Sequence, residues 1–124
     1  MPTQLPATAR RWQLYDDAPF EVVAAINEAV QSAANDTAFD AVLPAARRVY
    51  NEWGATRLDT SEAYKAIRRV QSQLWWGRID PVLNAYAAFG ASDSEPRDMA
   101  RRVFHGLVLN RIGVRDNDRV WVQD

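Results

Sequence analysis

The only imidazole in the chain is His105, the one side chain whose ordinary titration range suits general acid–base work near neutrality. Such work needs a carboxylate or a nucleophile beside it. One helical turn away stand Arg101, Arg102 and Leu109, and none of these orients an imidazole. His105 is therefore expected to be a partly exposed helical histidine. Cysteine is absent, which removes thiolate nucleophiles, disulfides and the usual zinc sites. No serine lies in a nucleophile-elbow context, and the five glycines form no phosphate-cradling loop. Asp16, Asp17, Asp59, Asp80 and Asp93 stand where helix caps and turns use carboxylates, and no group has metal-ligand spacing. These residues predict a protein without catalysis, cofactor or metal.

Chemistry of recognition is better represented. Leu74, Trp75 and Trp76 are consecutive, and Gly77 and Arg78 follow them. Neighbours on a helix point about 100° apart, so the three apolar side chains cannot share one core face. At least one indole is expected at the surface, beside an arginine, which is the composition enriched in binding hot spots. Trp75, Trp76 and Arg78 are the predicted partner-binding residues, and the partner is another protein or a second copy of the chain, as a homodimer.

A nucleic-acid partner is the alternative. Fourteen of the fifteen basic residues are arginine, and they are unevenly placed. Residues 1–62 carry nine acids and five bases; residues 63–124 carry seven and ten. In order, a helix over 81–89, a turn, a helix over 95–111 and a hairpin resemble a winged helix-turn-helix. That resemblance implies a DNA-binding regulator built from residues 81–122. Arg97, Arg101 and Arg102 would face the duplex from the second helix, and Arg115 and Arg119 would touch the backbone from the wing. Against it, the turn is long, Tyr86 stands where a small residue is expected, and Pro96 falls in the first turn of the reading helix. The net charge of −1 also lacks the positive excess that phosphate binding demands. A protein partner is therefore the preferred reading.

The elements that position these residues are mostly helical. Residues 1–15 form an extended arm, and residues 16–124 one helical domain. Asp17 caps a first helix with Pro19 in its first turn, and Phe20, Val22, Val23, Ile26 and Val30 form its stripe up to about Ala34. Thr37 and Asp40 have capping-box spacing before an amphipathic run that ends at Gly54. Pro44 interrupts that run by crowding the Asp40 carbonyl and predicts a break between Asp40 and Leu43. Asp59 or Thr60 caps a third helix that Gly77 closes. Asp80-Pro81 opens a short fourth helix to Phe89, and Ser94 opens a fifth, ended by Gly113. After it, Val114-Arg115 and Arg119 to Val122 flank Asp116-Asn117-Asp118, a pattern of two short strands around a turn.

The expected class is thus a mostly α, compact bundle of about five helices with a short C-terminal β-hairpin or strand. No apolar run approaches the ~18–20 residues of a membrane span, and the N-terminus lacks a signal-like apolar region, which predicts a cytoplasmic protein.

Overall fold

The computed structural model describes residues 19–91 and 93–115. Helix accounts for 83% of the described residues. The first helix, α1 (Phe20–Ala34), starts at Pro19, whose ring fixes φ at −61° and whose carbonyl accepts from Val22. Its buried stripe is Val22, Val23, Ile26 and Val30, with Ala33 and Ala34 at the end. Asn35 stops it by turning its amide back onto the Gln31 carbonyl at 3.0 Å. The Asp17 cap and the N-terminal arm lie outside the described residues.

The break at Pro44 is present. A short 3₁₀ turn (Thr37–Phe39) buries Phe39, the chain turns through residues 40–42, and α2 (Leu43–Trp53) begins with Pro44 in its first turn. There the missing N–H has no helical partner to lose. The cap of the 3₁₀ turn differs from the expected one: Asp36, not Thr37, accepts the Ala38 N–H at 2.8 Å. Gly54, at φ 87° and ψ −179°, makes a corner open to glycine alone and leads into α3 (Ala55–Asp59).

Helix α4 (Glu62–Leu74) is capped one residue later than expected, by the Ser61 hydroxyl accepting from Tyr64 N–H at 3.1 Å. Nor does it end at Gly77. The chain passes through one widened π-type turn (Trp75–Ile79) into α5 (Asp80–Ala85). Pro81 is the cause. It has no N–H for the Gly77 carbonyl, and its ring would strike that carbonyl in a regular helix. Instead the Asp80 N–H reaches back five residues to Trp75 O, and the helix continues with a wide turn where a stop was expected.

A 3₁₀ turn (Ala87–Phe89) and Gly90, at φ 76°, lead to α6 (Ser94–Ile112). Its end explains why the predicted C-terminal strand does not begin at Val114. Gly113 adopts φ 95° and donates to Asn110 O, while Val114 N–H folds back to Leu109 O at 3.0 Å. This is the Schellman pattern, and it buries Val114 against the helix end. Arg115 N–H then bonds Tyr50 Oη at 3.2 Å. No strand occurs among the described residues, and residues 116–124 of the expected hairpin lie outside them.

Counting α4, the wide turn and α5 as one rod, the described residues form a compact bundle of five helices. Helix α1 packs on α6 and across the wide turn; α2 packs on both α4 and α6; α3 fills in beside α2 and α4. Arg111 ties the far ends together. Its guanidinium donates to the Ala34 and Asp36 carbonyls at 3.1 Å each and to Asp40 at 2.9 Å, above the Phe39 ring. No helix among the described residues is long and apolar enough to cross a membrane.

Candidate functional site

The wide turn separates the two indoles. Trp75 faces inward and is 5% exposed, whereas Trp76 stands out at 63%. Arg78 does not join them. It forms an ion pair with Asp36 at 2.6 Å and donates to Ser32 at 3.2 Å, so it fastens the turn to α1 and the segment after it. Of the three residues expected to form one patch, Trp76 is the exposed one, Trp75 lies beneath it, and Arg78 is committed elsewhere.

Beside Trp76, between α4 and α6, opens a cleft of about 180 Å³. Arg68, Gln71 and Ser72 line it from α4, Trp75 and Trp76 from the wide turn, and Arg101, Phe104 and His105 from α6. Arg101 lies over the Trp75 indole, 5.2 Å from the ring centroid. It also meets the Asp98 carboxylate at 4.0 Å, with 44% of the aspartate side chain exposed.

His105 is not the partly exposed residue the sequence suggested. It is 3% exposed, with Nε2 2.8 Å from Tyr64 Oη and Nδ1 3.0 Å from the Gln71 amide. These partners were missed because they come from α4, thirty or more residues away, and contact between helices is invisible to spacing within one of them. The signal that could have found them is Gln71 itself, a polar residue set four positions from both Ile67 and Trp75 on a core stripe. A buried amide there needs a partner.

The cluster joins α4 to α6 through polar groups. Burial pushes the Tyr64 phenol above its ordinary pKa of 10.0, and the positive charge of Arg68, whose guanidinium carbon lies 5.9 Å from the ring centroid, opposes that rise. The phenol oxygen both donates and accepts, so its 2.8 Å contact with Nε2 is made with either tautomer of the imidazole. On the other side of the ring Nδ1 meets the Gln71 amide nitrogen at 3.0 Å, and the Gln71 Oε1 is buried without a hydrogen-bond partner. With both ring nitrogens engaged, the arrangement fixes His105 as a bridge between α4 and α6 and leaves it no free nitrogen for a substrate.

The arginines of the alternative reading stand in different surroundings. Arg97 pairs with Asp80 and donates to Asn84 at 3.1 Å, with only 20% of its side chain exposed. Arg101 belongs to the cleft, and Arg102 lies about 100° further round α6 and is exposed. Arg115 is exposed beyond the helix end, and Arg119 lies outside the described residues. Among the described residues no group of three or more His, Cys, Asp or Glu could hold a metal ion. A second aromatic–arginine pair that the sequence reading overlooked is Trp53, also 63% exposed, with Arg57 stacked 5.3 Å from its ring. In comparison with known proteins, no family model, no curated protein and no solved structure matches this chain.

Proposed function

We propose that this chain is a non-enzymatic interaction module that docks another protein on the Trp76 rim of the cleft between α4 and α6. The observation that carries the reading is the position of Trp76: a large indole, 63% exposed, beside a concavity flanked by two arginines. Trp and Arg beside a pocket are the residues that dominate binding energy in protein interfaces. The cleft volume points the same way. At about 180 Å³ it falls below the ~300–1,000 Å³ typical of cofactor and small-molecule sites, and it fits one inserted side chain.

The test places a photo-crosslinking amino acid at position 76, with position 53 as control. A crosslinked protein is identified from native extract, purified, and its affinity measured against the wild-type chain and Trp76→Ala. Truncation of a central indole should weaken binding by about 2 kcal/mol, roughly thirtyfold, with helix content unchanged. Equal affinity for Trp76→Ala refutes the reading, and so does a crosslink only to a second copy of the chain.

A further inference from the structure

We infer that the cleft receives a carboxylate, the side chain of an Asp or Glu on the docked partner; this rests on the docking reading and specifies its chemistry. Three independent features converge. The first is an unpaired donor. The Trp75 Nε1–H is buried without a partner. Trp75 lines the cleft and is more than nine-tenths buried. Unpaired buried donors are rare in folded proteins, and an acceptor reaching them removes a standing penalty.

The second feature is charge. Arg68 and Arg101 both line the cleft, and no carboxylate does. Among the described residues Arg68 makes no ion pair, and the Asp98 contact of Arg101 is at the outer limit of one. The cleft therefore presents two guanidinium groups and the Trp75 N–H, with the Ser72 hydroxyl and the Gln71 amide able to serve either way. Its complement is an acceptor-only group, and a planar carboxylate matches a guanidinium fork.

The third is size and setting. A volume of about 180 Å³ takes an acidic side chain but no nucleotide, and Arg97, the neighbouring cation on α6, is already neutralised by Asp80. A nucleic-acid backbone would meet no continuous basic track here. An acidic side chain entering beside Trp76 would have an apolar neighbour pack on the indole.

The probe is N-acetylglutamate with both ends blocked as amides, so that its side-chain carboxylate is its only charge. It is titrated at constant ionic strength into the ¹⁵N-labelled full chain, and the Trp75 indole N–H resonance is followed. It should move downfield and saturate in the millimolar range, while blocked glutamine leaves it still. Arg68→Gln and Arg101→Gln should each weaken binding at least tenfold, and Arg78→Gln, at the far side of the turn, should not. The wild-type titration decides the matter even if a variant fails to fold. A flat titration, equal shifts with blocked glutamine, or stronger shifts with inorganic phosphate or a short oligonucleotide overturn the assignment. If the titration is flat while Trp76→Ala still releases a protein partner, the carboxylate assignment falls alone. If it saturates while Trp76→Ala leaves partner affinity intact, the docking reading falls and the carboxylate chemistry stands.

Discussion

Tyr64→Phe isolates the bridge that sets the cleft's floor. The ring is 3% exposed and phenylalanine fills the same space, so the substitution removes one hydroxyl and little packing. It also takes from His105 Nε2 the hydroxyl that stands 2.8 Å away. One lost buried hydrogen bond plus one orphaned partner places the destabilisation at about 2 kcal/mol. His105→Leu strands both the Tyr64 hydroxyl and the Gln71 amide, and should cost about 3 kcal/mol. The Tyr64–His105 bond is counted in both single variants, so the double variant should fall short of additivity by about 1–2 kcal/mol. Urea denaturation followed by far-UV circular dichroism measures all three. With a slope of roughly 2 kcal/mol/M, Tyr64→Phe moves the midpoint down by about 1 M with the slope unchanged. A shift under about 0.5 kcal/mol, or strict additivity in the cycle, would show that the bridge is not made in solution.

Three further outcomes follow from the same contacts. Trp75→Ala should cost about 3–5 kcal/mol as a core truncation, whereas Trp76→Ala should stay within about 0.5 kcal/mol; comparable losses in urea melts would mean that the wide turn does not divide the two rings as described. Because the Tyr64 pKa is raised by burial, the unfolded chain releases its proton first as pH climbs above 10.0, so wild type loses stability there. Tyr64→Phe should lack that loss, and urea midpoints between pH 8 and 11 that run parallel for the two proteins would contradict it. Arg111→Ala removes donors to Ala34 O, Asp36 O and Asp40 together and should cost about 2–3 kcal/mol; a loss below 1 kcal/mol would demote this tie to a surface contact.

Much of the architecture was legible because it is written in local signals. Pro44 and Asn35 placed their boundaries through backbone groups they lack or satisfy within a turn, and Gly113 through a φ of 95° that other residues resist. The caps were legible only to within a residue, since Asp36 and Ser61 compete with equally suitable neighbours and the winner depends on how the next helix is aimed. Gly113 was read correctly as a stop, but its consequence was not: the burial available to Val114 at the helix end outweighs its β-propensity. The site was less legible. Tyr64, Arg68 and Gln71 meet His105 and Arg101 only because α2 and α6 hold α4 in place, and no spacing within one helix encodes that.

The wide turn is where the sequence and the site connect. Ile67, Gln71, Trp75, Ile79 and Leu83 are all buried and are spaced four residues apart throughout. In an unbroken α-helix each such step overshoots a full turn by about 40°, so five positions would fan across about 160° and could not all face one core. A turn closed by Asp80 N–H on Trp75 O advances less per residue and cancels part of that drift. The spacing of four is thus a record of the extra residue in the turn, as Pro81 is its cause. Once the stripe stays inward through Trp75, the next residue has to swing away from it, and a tryptophan at that position is placed in water beside the gap that Gln71 and His105 bridge. Trp76 is exposed because the helix is kept going past Pro81, and not because the surface there was left unfinished.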